Sequence, residues 1–350
     1  MIRILAIETS CDETAFALVA AQGGLEKPVF KIEKSVIASQ IALHAEWGGV
    51  VPNIAKREHL KNLPLIFRKS FRPLIEKGLK IDLLAVTVGP GLEPCLWTGV
   101  NFAKQTYQDL KTKNPKLKLA GVNHLEGHLY SFLAQKRINP KSQIPNSKTF
   151  PAIGLIVSGG HTILLLMKSL TEWRKIGETR DDAAGETFDK VARMLKLPYP
   201  GGPLIEKMAR AGNPQAINFP RPMLNQDNYD FSFAGLKTSV LYYLKEKGGE
   251  MNQEDVAASF QAAAVETLTA KTMRAAEKFQ ARSVILAGGV AANKNLRKIL
   301  RKETAKRKIN FFAPAAALNT DNAAMIAAAA YVNFLQKRRR PIKPQANLTV

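Results

Sequence analysis

Two histidines lie four positions apart in the segment GVNHLEGHLYS, residues 121–131. Residues at positions i and i+4 share one face of a helix, so His124 and His128 could bind one metal ion together. Such an ion needs at least one further ligand, and Asp321 is a candidate because it starts a predicted helix beside a cleft. Two histidines that only cap or pack a helix would have the same spacing, and both interpretations stay open.

A zinc protease is the function that a paired-histidine helix first suggests. Its signature, His-Glu-x-x-His, places the glutamate directly after the first histidine. Here the order is His-Leu-Glu-Gly-His, and Glu126 lies about 200° around the helix from His124, since each residue turns the helix by about 100°. The carboxylate therefore points away from an ion held by both histidines. This geometry excludes the protease and leaves Glu126 a structural or supporting role.

Adjacent carboxylates, Asp12 and Glu13, follow the first predicted strand in the segment IETSCDET. They could provide a general base or hold a water molecule bound to the metal, and a solvated turn is the alternative. The acidic residues of ETRDDAAGETFDK could accept hydrogen bonds from ribose hydroxyls or from the N-terminus of a helix. The histidines and tryptophan of HAEWGGVVPNIAKREHL either line a cleft or have a packing role.

Two segments share a strand–turn–strand outline, IRILAIETSCDETAFALVAA at the start of the chain and AIGLIVSGGHTILLLM at 152–167. The repeat predicts duplicated lobes, each opening with a hairpin whose tip faces a shared cleft. Backbone amides at the SGGHT tip could bind a phosphate, although Gly-Gly also makes a simple tight turn. VILAGGVAANKNLR, 284–297, predicts a buried strand, a glycine turn and a helix entered near Asn293, which is another phosphate-binding arrangement. Its spacing disfavours the Rossmann GxGxxG motif.

Other segments predict the remaining elements. Helices are expected at about 93–110, at 252–280 with Asn252 as its cap, and at 320–335 with Thr320 or Asp321 as its cap. The segment 138–149 has the composition of an exposed connector, and residues 201–231 begin helical and become loop-like. The basic tail, 337–350, is expected to be mobile.

Composition indicates a folded protein that we expect to be cytoplasmic, with 46% hydrophobic and 23% charged residues and two cysteines without CxxC spacing. No apolar stretch is long enough for a membrane span, and early carboxylates argue against a signal peptide. Lys and Arg number 51 against 29 Asp and Glu, a net charge of +22. The excess is spread over 111–118, 136–148, 294–308 and 337–343, which favours a large polyanion such as folded RNA over a single phosphate. A solvated basic surface is the alternative.

Taken together, these segments resemble the TsaD family, also called Gcp, of tRNA threonylcarbamoyltransferases. The matching stretches occur in the family's order and cover most of residues 1–330. They are IETSCDET, WGGVVPNIAKREHL, VTVGPGL, NHLEGHL, IVSGGHT, DDAAGETFDKVARMLKLPYPGGP, FSFAGLKT, LAGGVAANKNLR and NTDNAAMIA.

The resemblance implies an α/β chain with the two-lobed actin-like ATPase (ASKHA) fold, its duplicated lobes arranged around a central cleft. The N-terminal lobe is expected at 1–130, joined by the C-terminal helix at 320–336. The second lobe is expected at 150–319, with a helical insertion at about 170–250.

The resemblance also implies an activity and its site. Members transfer a threonylcarbamoyl group from threonylcarbamoyl-AMP to N6 of the adenine 3′ of the anticodon, position 37, in tRNAs that read ANN codons, forming t6A and AMP. One divalent metal, iron or zinc, would be held by His124, His128 and Asp321, and Asp12 and Glu13 would lie at the reacting end. The adenylate would contact Ile156, Val157, Ser158, Gly159, Gly160, Asp189, Gly202, Glu206 and Asn293.

The implied partners are tRNA and, in bacteria, the helper proteins TsaB and TsaE; archaeal and eukaryotic members belong to KEOPS-type assemblies. Two other classes stay open. An ATPase or small-molecule kinase on the same fold would hold Mg²⁺ through carboxylates, whereas histidines favour a softer metal. A basic RNA-binding scaffold without catalysis would explain the charge but leave the metal-ligating residues without a purpose.

Overall fold

The computed structural model describes residues 1–135, 146–248 and 251–350. The chain divides into two compact units: unit 1 comprises Met1–Ser147 with Pro314–Val350, and unit 2 comprises Lys148–Ala313. Unit 2 is therefore an insertion in the sequence of unit 1. Of the predicted connector at 138–149, residues 138–145 lie outside the described residues, as does most of the basic segment at 136–148.

The sheet of unit 1 is mixed. Its first three strands form an antiparallel meander, and the later strands join it in parallel, giving the order β5-β4-β1-β2-β3-β6. Long apolar runs in β1, β2 and β4 suit strands that are covered on both faces. The strands are β1 (Ile2–Glu8), β2 (Glu13–Gln22), β3 (Val29–Ser39), β4 (Leu83–Gly89), β5 (Lys118–Asn123) and β6 (Ala134–Gln135).

The helices of unit 1 that precede the insertion lie between these strands. Residues Phe67–Phe71 continue α2 as a π-helical turn, and Ser131–Leu133 extend α5 as a 3-10 turn. The helix predicted at about 93–110 is confirmed and runs three residues further. The helices are α1 (Ile41–Ala45), α2 (Pro52–Ile66), α3 (Arg72–Glu76), α4 (Glu93–Lys113) and α5 (His124–Tyr130), followed at the start of the insertion by α6 (Asn146–Thr149).

Unit 2 repeats the strand topology of unit 1. The order β11-β10-β7-β8-β9 corresponds strand for strand to β5-β4-β1-β2-β3, and β7, β8 and β9 again form an antiparallel meander. The predicted duplication of the lobes is therefore confirmed. The strands are β7 (Ala152–Val157), β8 (Thr162–Met167), β9 (Trp173–Glu178), β10 (Ser283–Ala287) and β11 (Asn310–Phe312).

The helical insertion expected at about 170–250 does not begin as a helix in the structure. Residues Trp173–Glu178 form β9, because they pair with β8 and complete the meander. Asn252 caps the long helix as predicted, its Oδ1 accepting the N–H of Asp255 at 3.0 Å. The helices are α7 (Ala184–Met194), α8 (Gly201–Met208), α9 (Ala234–Lys247), α10 (Gln253–Lys278) and α11 (Lys294–Lys306).

The last helix, α12 (Ala323–Leu335), returns the chain to unit 1, where it packs against β1, β2 and α5. Its alanine-rich surface is buried, as the sequence predicts. The predicted cap, Thr320 or Asp321, is wrong: Asn322 Oδ1 accepts the N–H of Met325 at 3.0 Å. None of the helices in the described ranges combines the length and apolarity that crossing a bilayer requires.

The C-terminal segment, residues 337–350, is packed, which differs from the expectation of a mobile tail. The N–H of Gln345 donates to the carbonyl of Val88 at 2.7 Å, and the N–H of Gly91 donates to the carbonyl of Ala346 at 3.2 Å. Ile342 and Leu348 also pack against the core of unit 1. These backbone hydrogen bonds and two aliphatic contacts hold the segment in place. Its basic composition suggests a mobile tail because composition carries no sign of such contacts.

Candidate functional sites

Helix α5 begins directly after β5 and carries both histidines. Its cap is Asn123, whose Oδ1 accepts the N–H groups of Leu125 at 2.8 Å and Glu126 at 3.3 Å. This cap fixes the first turn, and four residues later the second histidine lies on the same face as the first. The ring centroids of His124 and His128 are 4.6 Å apart.

Asp321 comes from the turn before α12 and completes a cluster of three potential ligands. Its Oδ1 lies 3.5 Å from His124 Nε2 and 3.2 Å from His128 Nε2, and one ligand atom from each residue lies within 4.8 Å of the others. Neither ring nitrogen of the buried His128 makes an aligned hydrogen bond within the described chain. A buried nitrogen left in this state is costly, and a shared cation would satisfy it.

Glu8, at the end of β1, contacts the ring nitrogen of His124 that faces away from Asp321. Its Oε2 lies 3.1 Å from His124 Nδ1, and it also accepts the hydroxyl of Thr87 at 2.7 Å and the N–H of Ser10 at 2.5 Å. A carboxylate on one ring nitrogen fixes the tautomer and leaves the other nitrogen as a metal ligand. The sequence analysis missed Glu8; its only signal was a carboxylate ending an apolar strand.

Negative charge accumulates around the cluster. Burial lowers the pKa of His124, but the carboxylates of Asp321 and Glu8 outweigh it and raise the pKa to about 9. Burial, together with the charges of Asp321, Asp12 and Glu8, raises the pKa of Glu13 to about 10. Carboxylates gathered in this way favour a bound cation, which offsets their mutual repulsion.

The residues present therefore fit a divalent metal. Two imidazole nitrogens and one carboxylate oxygen are donors that zinc and iron accept readily, whereas Mg²⁺ prefers oxygen ligands. His124, His128 and Asp321 would hold the ion, and Glu8 would orient the first of them. This arrangement favours a metal site over two histidines that only pack a helix.

Asp12 and Glu13 are placed close to this cluster by the turn between β1 and β2. The two residues are only 6% and 8% exposed, so the alternative of a solvated turn is wrong. The turn is held by the carbonyl of Asp12, which accepts the N–H of Gln40 at 3.1 Å. Glu13 then begins β2 opposite Ser39 on β3.

The other histidines of unit 1 support that turn. His59 is fully buried, with Nε2 at 2.8 Å from the carbonyl oxygen of Cys11 and Nδ1 at 2.8 Å from Thr14 Oγ1. His44 is also fully buried, and its Nε2 lies 3.2 Å from Gln40 Oε1. Trp47 is 65% exposed. The packing alternative therefore describes both histidines.

In unit 2, three glycine-containing segments approach one another at the carboxyl end of β7. They are the tip at 158–160, the first turn of α7 and the turn after β10. Gly185, in the first turn of α7, donates its N–H to the carbonyl of Ser158 at 3.2 Å, and a Cβ there would lie 2.5 Å from the same oxygen. Gly288 has a φ of +89°, and a Cβ there would lie 2.3 Å from the carbonyl oxygen of Val157. Such close backbone approaches require glycine.

The predicted adenylate contacts in β7 and its tip differ in accessibility. Ile156 and Val157 are fully buried strand residues whose side chains point to opposite faces of the sheet, so neither side chain is accessible. Ser158, Gly159 and Gly160 form the tip before β8, and a Cβ on either glycine would meet no other described part of the chain within 4 Å. The tip therefore offers open backbone that a ligand could approach.

The remaining predicted contacts lie on the helices of unit 2. Asp189 on α7 accepts the N–H groups of Gly201 at 2.8 Å and Gly202 at 3.1 Å, so it serves the N-terminus of α8. Glu206 on α8 pairs with Arg210 at 3.3 Å. Asn293 caps α11 through the N–H of Leu296 at 2.9 Å and donates to Gln261 Oε1 at 2.9 Å.

Two other acidic residues singled out in the sequence have structural partners. Asp181 Oδ1 accepts the N–H of Phe233 at 2.8 Å and that of Ala234 at 3.2 Å, at the start of α9. Asp182 pairs with Lys190 at 2.9 Å and also with Lys237, and these bonds lower its pKa although burial opposes them. Asp181 therefore follows the helix-terminus alternative, whereas Asp182 is held by ion pairs with two lysines of unit 2.

The fold has solved relatives. It is similar to HypF from T. kodakarensis, with a TM-score of 0.56 and 14% identity, over 96% of this chain and 48% of that chain. It is also similar to full-length HypF in the phosphate- and nucleotide-bound form, with a TM-score of 0.59 and 13% identity, over 97% of this chain and 47% of that chain. The chain thus spans about half of HypF. Together with the duplicated lobes, these matches define an α/β protein of the actin-like ATPase (ASKHA) fold.

Sequence relatives identify the family more narrowly. The model of the tRNA N6-adenosine threonylcarbamoyltransferase family, TsaD, matches residues 31–328. Enzymes of that name are 47% identical in Moorella thermoacetica, over 98% of this chain and 95% of the relative, and 45% identical in Thermosipho africanus, over 94% and 93%. The chain belongs to the TsaD family, whose members are transferases that modify tRNA.

Proposed function

We propose that this chain transfers the threonylcarbamoyl group of threonylcarbamoyl-AMP to N6 of the adenosine at position 37, 3′ of the anticodon, in tRNAs that read ANN codons. The observation that carries the proposal is the convergence of His124, His128 and Asp321 in a member of this family. The products are t6A and AMP.

The reaction is a substitution at the carbamoyl carbon. The new bond joins N6 of adenosine to that carbon, the bond from the carbon to the phosphate oxygen breaks, and AMP leaves with its electron pair. The amine must lose one proton. Because the mixed anhydride is already activated, the protein mainly has to orient the two substrates and offset charge on the leaving oxygens.

The metal in this proposal is one divalent ion per chain, Fe²⁺ or Zn²⁺, held by His124, His128 and Asp321. When bound, such an ion supplies Lewis-acid stabilisation of negative charge on anhydride or phosphate oxygens. Glu8 keeps the ring of His124 in the orientation and tautomer that this requires.

Asp12 and Glu13 are the carboxylates proposed for the reacting end. Both are buried beside the proposed metal ligands, and His59 holds the turn that carries them. One of them accepts the proton that the adenosine amine loses. Glu13 can do so only as a carboxylate, a form that a bound cation favours because it offsets the negative charges that help to raise the pKa of Glu13. An Asp12→Asn variant that keeps full transfer activity would exclude Asp12 from this role and leave Glu13 as the candidate.

The adenylate is proposed to bind at the glycine turns of unit 2. The open backbone at Gly159 and Gly160 suits a phosphate, because amides without a side chain nearby can approach its oxygens closely. The neighbouring strand residues Ile156 and Val157, with Asp189, Gly202, Glu206 and Asn293, complete the proposed contacts.

The proposed partners are tRNA, threonylcarbamoyl-AMP, and the helper proteins TsaB and TsaE. The net charge of +22 favours binding of a polyanion, and exposed lysines recur on α11 at Lys294, Lys298 and Lys302. Residues at this spacing share one helix face, which suits contacts with phosphates. These contacts provide affinity rather than sequence recognition.

The test combines purified protein, Zn²⁺ or Fe²⁺, threonylcarbamoyl-AMP and unmodified tRNA, with and without TsaB and TsaE. The tRNA is then digested and its nucleosides are measured by mass. We expect t6A with the unaltered chain and none with His124→Ala or with a tRNA carrying guanosine at position 37. Intact adenylate bound to the protein without t6A in any combination would indicate a binding protein instead.

A further inference from the structure

Glu126 lies between the two histidines in sequence, yet its carboxylate contacts a different part of unit 1. It is fully buried on α5 and accepts a hydrogen bond from Asn333 Nδ2 at 2.9 Å. It also pairs with Arg338 at 3.3 Å and with Arg340. The metal-ligating helix is therefore held, on the side away from the ligands, by α12 and the C-terminal segment.

A second contact joins the same segment to the start of α5. Asn123, which caps α5 through its Oδ1, donates from Nδ2 to the carbonyl of Thr349 at 2.9 Å. The cap that sets the position of His124 is thus itself oriented by the C-terminal segment. Residues 337–350 contact α5 at its N-terminus and near its middle.

Glycines let this segment lie directly against the sheet. A Cβ at Gly89 would lie 1.9 Å from the carbonyl oxygen of Gln345, and one at Gly121 would lie 3.1 Å from that of Pro341. Both glycines belong to strands, β4 and β5, that end next to α5. The segment is therefore fixed by the strands and can in turn fix the helix.

Helix α5 needs such support because it has only seven residues. A helix of this length has little stability of its own, so its rotation and position depend on tertiary contacts. A metal site is sensitive to both, since ligand distances must hold to a few tenths of an ångström. A carboxylate paired with two arginines gives a stronger and more directional contact than an apolar one.

We propose that Glu126 is a positioning residue for the metal ligands, and that residues 337–350 act with it as a brace that holds α5 in the ligating orientation. The inference rests on the metal site of the proposed function. It assigns the brace no contact with the metal or the substrates.

The test measures the affinity of the full chain for Zn²⁺ alone, in competition with a chromophoric chelator. We expect Glu126→Gln and Arg340→Gln each to weaken zinc binding about 10- to 100-fold, the range found when residues that orient metal ligands are removed. Arg339→Gln is the matched control, since Arg339 is an exposed neighbour and its loss changes the net charge by the same amount as that of Arg340. The control should bind zinc within twofold of the unaltered chain, and Arg340→Lys should recover part of the loss.

Two readouts separate positioning from general stability. The visible spectrum of bound Co²⁺ should change in Glu126→Gln and Arg340→Gln, because it reports ligand geometry, and it should stay the same in Arg339→Gln. Zinc affinity and cobalt spectrum equal to those of the unaltered chain would overturn the inference, even with a lower melting temperature. If Glu126→Gln does not fold, Arg338→Gln, which alters a half-exposed side chain, replaces it in the comparison.

Failure of the metal site itself gives a different result. His128→Ala should lose the zinc equivalent that the unaltered chain binds. If the unaltered chain and His128→Ala bind the same amount of zinc, the proposed metal site is wrong, and the inference about Glu126 is wrong with it. If that zinc is bound and the brace variants bind it normally, only the inference about Glu126 is overturned.

Discussion

Glu8 Oε2 and His124 Nδ1 lie 3.1 Å apart, although the two residues are 116 positions apart in the chain. The carboxylate also accepts hydrogen bonds from Thr87 and from the backbone of Ser10, so it cannot turn away from the ring without losing them. The end of the first strand therefore fixes the orientation of His124, a proposed metal ligand at the start of α5. This link makes the proposed metal site depend on the sheet as much as on its own helix.

Glu8→Gln should weaken Zn²⁺ binding about 10- to 100-fold, because the amide no longer holds the ring of His124 as a carboxylate does. Competition with a chromophoric chelator measures the change. Glu76→Gln, which removes an exposed carboxylate paired with Arg72 in the same unit, is the control and should bind zinc normally. A Glu8→Gln protein with unchanged zinc affinity would show that this contact does not orient the ligand.

Gly288→Ala should destabilise unit 2 by about 1–3 kcal/mol, because its φ of +89° and the nearby carbonyl of Val157 leave no room for a Cβ. Gly289→Ala should change the free energy of unfolding by less than about 0.5 kcal/mol, since that position is open. Urea denaturation of both variants provides the comparison. Equal effects at the two positions would contradict the close approach of this turn to β7.

Gly160→Ala should leave the free energy of unfolding nearly unchanged, because a Cβ there meets no described part of the protein within 4 Å. It should weaken AMP binding at least about fivefold, or about 1 kcal/mol, if phosphate lies against the tip. Calorimetry with AMP and with adenosine separates the two parts of the ligand. A variant that loses both ligands equally, or neither, would contradict phosphate binding at this tip.

The stability of unit 2 should depend on the titration of Lys271. Its buried ammonium donates to the carbonyl oxygen and to Oδ1 of Asn228, both at 3.1 Å. Burial, with the charge of Arg274, lowers the pKa of Lys271 from 10.5 to about 8. Between these values the unfolded chain binds a proton that the folded chain has released, so the free energy of unfolding rises with pH.

The difference in the free energy of unfolding between the unaltered chain and Lys271→Met should therefore shift by roughly 2–3 kcal/mol from pH 8 to pH 10.5, in favour of the unaltered chain. Below pH 8 the difference should be constant. Urea denaturation at intervals across this range measures it, with Lys278→Met, an exposed lysine on the same helix, as the control. The same slope in both comparisons would show that burial does not shift the pKa of Lys271.

Local patterns predicted much of the fold. The apolar runs on either side of IETSCDET and SGGHT identified both hairpins, and Asn252 and Asn293 marked helix starts because their side chains reach the free amides of the first turn. The spacing of His124 and His128 required them to share a face. Each of these features is decided within one or two turns of chain, where sequence periodicity is informative.

Features that depend on distant partners were not predictable in this way. Nothing near Glu8 indicates that its partner is His124, and nothing in the acidic segment at 181–182 indicates that α9 supplies the donors for Asp181. The C-terminal segment was mistaken for a mobile tail because its anchors are backbone groups of Gln345, Ala346 and Thr349, which leave no trace in composition. Asn322 took the capping role because its side chain reaches Met325, while Asp321 lies beside the histidines.

The insertion of unit 2 within unit 1 has a consequence for the order in which the protein forms during synthesis. Lys148–Ala313 is continuous, so it can fold while the ribosome is still translating the rest of the chain. Unit 1 cannot be completed at that stage, since α12 and Asp321 have not yet been made. The proposed three-ligand metal site can therefore form only after translation has passed Asp321, well after His124 and His128 have been made.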